Sequence, residues 1–193
     1  MLGLKLATDP RWVNIVEKDI AEILTDHAWC EQKAASTAIS LTVHFPEHTE
    51  LVVAMIDLAQ EELSHFKMVV DKLTERGLSL GRERKDGYVN DLMRFVRKGG
   101  DRNIALMDKL LFSAMIEARS CERFRLLSEN IFDDDLKAFY RELMESEAGH
   151  YKLFISFARE YCDRSLVDKR WEEFLDNEAV IVSKYGKSVG MHG

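Results

Sequence analysis

The sequence predicts an all-α fold built from two long helical hairpins joined by one long crossover. Three observations carry this. Apolar residues recur at helical spacing along nearly the whole chain, and no alternating stretch reads as a strand. The two prolines, Pro10 and Pro46, both stand at helix boundaries. The glycines cluster at 77–87, at 99–100 and from 186 onward, where they divide the periodic runs.

Taken in order, a short helix over 10–17 precedes a long one over 19–44 that Pro46 closes. A second long helix runs over 47–76, with Gly77 as its C-terminal stop. The crossover then extends from 77 to 100 and holds a short helix, YVNDLMRFVRK. A third long helix spans 102–130 behind Asp101 as N-cap, and a fourth spans 134–161. A last helix follows Ser165, its expected cap, and ends near Gly186. Short links within each hairpin and one long link between them describe a ferritin-like four-helix bundle with extra N- and C-terminal helices.

With 193 residues, the chain is expected to form one domain over 1–193. Hydrophobic content of 46% with 32% charged residues is a globular balance. No apolar run reaches the length of a membrane span, and the N-terminus lacks the apolar core of a signal peptide. Cys30, Cys121 and Cys162 form no CxxC, so reduced thiols and a cytoplasmic location are expected. A net charge of −7 does not advertise nucleic-acid binding by the whole surface.

The chemistry lies in acids on apolar faces. Glu62 and His65 of EELSHF interrupt a stripe of Met55, Leu58, Ala59, Phe66 and Val69. Glu147 and His150 of ESEAGHYKLF do the same among Leu143, Met144, Tyr151 and Phe154. Glu31 shares a face with Leu24, His27, Ala34, Ala35 and Ala38, and Glu117 with Leu110, Ala114, Cys121 and Phe124. Glu61, Glu142 and Glu145 fall off these faces, and Glu122 is expected on a solvated face with Arg119, Arg125 and Glu129.

Four carboxylates in one core repel one another and lose their hydration. Two divalent cations would balance their charge. One lone Glu from each of two helices and a Glu-x-x-His from each of the other two is the ligand pattern of di-iron and di-manganese carboxylate bundles. Glu31 to Glu62 is 31 residues and Glu117 to Glu147 is 30, so each hairpin sets its three donors at similar depth. Oxygen with imidazole nitrogen suits iron or manganese better than zinc, and two irons with room for O2 are expected.

Among di-iron proteins, the chain lacks the CxxC pairs of a rubredoxin domain, and Val69 stands where a radical-generating subunit carries tyrosine. The crossover 76–102 holds eight basic residues (Arg76, Arg82, Arg84, Lys85, Arg94, Arg97, Lys98, Arg102) against four acidic ones, with Tyr88 and Phe95 interleaved. It reads either as a solvated surface or as a polyanion contact in which the aromatics stack on bases.

HAWCEQKAA around Glu31, EELSHF, IEARSCERF around Glu117, and ESEAGHYKLF occur in that order. Together they resemble the tRNA 2-methylthio-N6-isopentenyladenosine hydroxylase family, over about 12–185. The resemblance implies a non-haem di-iron monooxygenase that hydroxylates the isopentenyl group of the hypermodified adenosine next to the anticodon. It implies Glu31, Glu62, His65, Glu117, Glu147 and His150 as iron ligands, O2 as co-substrate, tRNA as substrate, and a separate reductase or ferredoxin as electron donor. Oligomeric state stays open between monomer and homodimer. The rival reading is a ferritin-like ferroxidase with no organic substrate.

Several residues carry two readings. His27 either supports Glu31 or fills the core, and Cys121 either gates protons or packs. Arg119 and Arg123 either pair with an outer acid or meet tRNA phosphate. Ala34, Ala35 and Ala38 either leave room for the isopentenyl tail or pack tightly, and His44, His48 and His192 read as loop or boundary residues.

Overall fold

The computed structural model describes residues 2–185 and 190–192; their regular structure is all helical, with no strand among them. The helices are α1 (Trp12–Val16), α2 (Ile20–His44), α3 (Thr49–Glu75), α4 (Gly87–Met93), α5 (Arg102–Asn130), α6 (Asp134–Tyr161) and α7 (Arg164–Tyr185). None is long and apolar enough to cross a membrane. Among the described residues, two compact units arise, one from 18–85 with 190–191, the other from 2–17, 86–185 and 192.

The first unit is the α2–α3 hairpin. Asp19 caps α2 by accepting from the Glu22 N–H at 2.9 Å. At the far end of α3, Gly77 takes φ +68°, the left-handed conformation that glycine adopts without a Cβ clash. Leu78 N–H then reaches back to the Leu73 carbonyl and Gly77 N–H to Thr74, a Schellman closure. The expected stop at Gly77 is therefore the observed one.

The second unit places the α5–α6 hairpin beside α7, with α1 and α4 against α5. Asp101 and Asp133 cap α5 and α6, each accepting from two backbone N–H groups. The cap of α7 is Asp163 rather than Ser165. Its carboxylate accepts from the Ser165 and Leu166 N–H groups, and the shorter Ser165 side chain donates to it instead. The crossover helix stops at Met93, short of Lys98. Beyond it, Arg97 N–H donates to Asp108 at 2.8 Å and the Phe95 carbonyl accepts from Arg170, so tertiary partners take the backbone groups that a helix would use.

Helix α5 is buried on all sides, which overturns the solvated face expected for Glu122. Arg119, Arg123 and Glu122 are all buried. Arg119 donates to Glu178 of α7 at 2.6 Å, to Glu122 at 3.0 Å and to the Leu6 carbonyl at 2.9 Å. Glu122 in turn accepts from the N–H and hydroxyl of Thr8. Burial pushes Glu178 above the ordinary carboxylate range despite Arg119. Arg123 lies over the Trp12 ring, 4.5 Å from its centre. Both arginines are wholly buried, away from the surface where a phosphate would bind. The distant acid Glu178 gives no local signal that Arg119 is core.

Arg119→Met leaves Glu178 and Glu122 buried without their guanidinium. Removing one partner of such a pair costs about 3–5 kcal/mol, which lowers Tm by roughly 6–20 °C for a chain of this size. Calorimetry checks this, and an unchanged Tm refutes the role given to Arg119.

Candidate metal centre

In the α2–α3 unit, Glu31, Glu62 and His65 are all buried, at 4%, 1% and 7% exposure. Glu62 and His65 lie one turn apart on α3, and Glu31 faces them from α2. His65 Nδ1 sits 3.3 Å from Glu62 Oε2 and 3.8 Å from Glu31 Oε2. Each of the three offers a ligand atom within 4.8 Å of the others. His27, fully buried one turn before Glu31, brings Nε2 to 2.6 Å from Glu31 Oε1. It therefore orients the carboxylate from behind, the supporting alternative of the two.

The α5–α6 unit repeats the arrangement. Glu117, Glu147 and His150 are buried, and their ligand atoms also lie within 4.8 Å of one another. His150 Nδ1 is 3.9 Å from Glu147 Oε1, and its Nε2 is 3.3 Å from the Ser146 hydroxyl. The six sequence-predicted residues thus form two trios of like composition, one in each unit. Each trio offers two carboxylates and an imidazole. That donor set fits a divalent metal that takes mixed oxygen and nitrogen ligands, and two adjacent buried carboxylates have an electrostatic need for one.

The residues around the trios divide between packing and support. Ala35 and Ala38 are buried, and Ala34 is half-buried. Cys121 packs: its thiol donates to the Met144 carbonyl at 3.4 Å. Burial first, and the Glu117 charge second, push its pKa to about 11.

The crossover is only partly as expected. Arg82, Arg84, Lys85, Arg94, Arg97, Lys98 and Arg102 are exposed. Within their own units, Arg84 pairs with Glu22, Arg94 with Asp91 at 2.6 Å and Arg97 with Glu173 at 3.6 Å. The aromatics, however, are not stacking platforms. Tyr88 is wholly buried and donates to Glu178 at 3.1 Å. Phe95 packs edge-on against Phe174 with the Arg170 guanidinium over its ring. Both serve the core because α4 is pinned to α5 and α7. His192, expected at a boundary, is also buried, at 3% exposure, and contacts Asp86, Tyr88 and Ser120. No spacing rule links residues so far apart in the chain.

Comparison with known proteins follows the same outline. The family model described as "tRNA-(MS[2]IO[6]A)-hydroxylase (MiaE)" matches residues 2–193. A Pseudomonas putida protein called tRNA 2-(methylsulfanyl)-N(6)-isopentenyladenosine(37) hydroxylase is 39% identical over 158 residues, covering 82% of this chain and 76% of that protein. A Salmonella typhimurium protein of the same name is 36% identical over 115 residues, covering 60% of this chain but only 42% of its own length. A solved structure described as "Protein 43 with aldehyde deformylating oxygenase activity from Synechococcus" superposes with a TM-score of 0.91 at 34% identity, over 98% of this chain and 95% of that one.

In metal-free protein at pH 8, a pKa of about 11 leaves roughly one Cys121 thiol in a thousand ionised. Its alkylation by iodoacetamide is therefore expected to run more than about a hundredfold slower than that of an ordinary thiol. Peptide mass spectrometry checks this, and fast labelling at Cys121 refutes it.

Proposed function

Because the chain belongs to the tRNA-(MS[2]IO[6]A)-hydroxylase (MiaE) family, we propose that it hydroxylates the isopentenyl group of 2-methylthio-N6-isopentenyladenosine beside the tRNA anticodon, with O2 and a di-iron centre. The observation that carries the di-iron reading is the pair of matching trios, Glu31, Glu62, His65 and Glu117, Glu147, His150, each buried in its own helical hairpin. On this reading the chain is a single domain, 1–193, and each trio supplies ligands to iron. The relatives are hydroxylases and the similar solved structure has oxygenase activity, which does not favour a ferroxidase without organic substrate.

When bound, the irons would supply the redox chemistry by which O2 oxidises an allylic C–H bond. The chain supplies position and surroundings. The rigid helices fix the Glu-x-x-His pairs one turn apart, and His27 keeps Glu31 turned toward its partners. Apolar neighbours such as Leu58, Val69, Leu143 and Phe154 are buried and keep bulk water off the trios. The tRNA backbone meets exposed Arg94, Arg97 and Lys98. Electrons come from a separate reductase or ferredoxin, and the protein works in the cytoplasm as a monomer or homodimer.

The test is direct. Iron-loaded, reduced protein is mixed with O2 and tRNA carrying the 2-methylthio-isopentenyl modification, and digested nucleosides are weighed for one added oxygen. Product that vanishes with Glu62→Ala or Glu147→Ala, together with bound iron and without loss of helical content, supports the reading. Full iron occupancy in those variants refutes the ligand set, and O2 consumption without nucleoside product refutes the substrate.

Replacing Arg94, Arg97 and Lys98 together is expected to weaken tRNA affinity and reduce its salt slope by up to about 3. Iron content stays unchanged. Filter binding across a salt series checks this, and an unchanged slope sends the phosphate contact to another face.

A further inference from the structure

Ser113 is a buried hydroxyl with no part in the trios or in the ion pairs of α5. It lies at 5% exposure, and its Oγ has no hydrogen-bond partner among the described residues. A hydroxyl in a helix interior ordinarily points to solvent or donates to a carbonyl one turn earlier. Ser113 does neither. On the same helix Ser128 donates to the Arg125 carbonyl at 2.8 Å. On α2 and α3, Thr37 and Thr74 donate to the Lys33 and Val70 carbonyls at 2.9 Å each. A buried hydroxyl left unpaired is costly, so such a group calls for an explanation.

Its place on the helix supplies one. At 3.6 residues per turn, Ser113 lies about 40° from Glu117 around α5 and one turn nearer the helix start. Side chains so spaced share a face, with Cβ atoms about 5–6 Å apart. Helical side chains also lean toward the N-terminus, so Glu117 extends over the turn that carries Ser113. The other polar groups on this face are engaged. Cys121 donates to the Met144 carbonyl, and Ser120 is hydrogen-bonded to His192. Leu110, Ala114 and Phe124 are apolar. Ser113 is therefore the hydroxyl beside the Glu117 carboxylate with donor and acceptor capacity to spare.

We propose that Ser113 donates a hydrogen bond to a small ligand on the iron held by Glu117, Glu147 and His150, an inference that rests on the di-iron reading above. Three protein donors leave coordination positions on iron for a ligand of this class, a small molecule or anion with a lone pair. Buried apolar neighbours such as Leu143 and Phe154 offer that lone pair no donor. A hydroxyl suits the place. It donates without altering the charge balance between carboxylates and metal, and it rotates about Cβ–Oγ to follow the ligand. Ser113 touches the ligand and not the metal, so its loss leaves the three protein donors in place. It is a ligand-binding residue of the centre and not a fourth donor to iron.

The test uses full-length protein loaded with ferric iron and titrated with azide, whose binding is read from its charge-transfer absorption. Ser113→Ala is expected to keep iron and helical content yet weaken azide binding about tenfold, the scale of one hydrogen bond to a charged acceptor. Ser113→Thr keeps a hydroxyl and is expected to retain most of the affinity. Ser128→Ala removes a hydroxyl already satisfied by its own helix and leaves the affinity unchanged. Azide affinity that is unchanged in Ser113→Ala, or that falls equally in Ser128→Ala, overturns the proposal. Loss of iron from Ser113→Ala also overturns it, because the hydroxyl is then a support of the trio. Wild-type protein that takes up no iron overturns the di-iron reading and the proposal with it. Protein that binds iron and azide with the Ser113 effect, but yields no hydroxylated nucleoside from modified tRNA, overturns the substrate alone and supports the donor.

Discussion

A carboxylate stripped of water must meet positive charge or give up its own, and the interior of this protein is arranged around that requirement. Seven acids are buried among the described residues: Glu31, Glu62, Asp108, Glu117, Glu122, Glu147 and Glu178. They fall into two groups. Asp108 meets Arg170, while Glu122 and Glu178 share Arg119. The other four stand in the trios beside His65 and His150. Guanidinium groups are permanent cations, so the first group is balanced by the chain itself. Imidazoles are weak ones, so the second group is suited to a charge that arrives from outside.

That division also explains why α5 is so heavily buried. One side of the helix presents Glu117 to its trio, and the next presents Arg119 and Glu122 to α7 and the N-terminal segment. A third presents Ser120 to His192. Packing, counter-charge and chemistry converge on one helix.

Much of this was legible in the sequence, for reasons of period. A polar residue at helical spacing inside an apolar stripe advertises itself, and so Glu31, Glu62, His65, Glu117, Glu147 and His150 could be read off together, as could the caps Asp101 and Gly77. What escaped were residues whose partners lie far along the chain. Arg119 and Glu122 looked solvated because Glu178 is 59 residues from Arg119. Tyr88 looked available to nucleic acid because its partner was the same distant glutamate. His192 meets Asp86 and Ser120 only through the fold. The Ser165 cap failed on a local matter: Asp163, two positions earlier, has the longer reach and the charge.

The two ion pairs between α5 and α7 have opposite sense. Arg119 on α5 meets Glu178 on α7, whereas Asp108 on α5 meets Arg170 on α7. Both helices run antiparallel to α6, so they run in the same direction as each other. Sliding α7 toward the start of α5 carries Glu178 toward Asp108, and sliding it the other way carries Arg170 toward Arg119. Either slip sets like charges together in a region that water does not reach. The pairs therefore act as a key that admits one alignment, and they do so from side chains that touch neither trio.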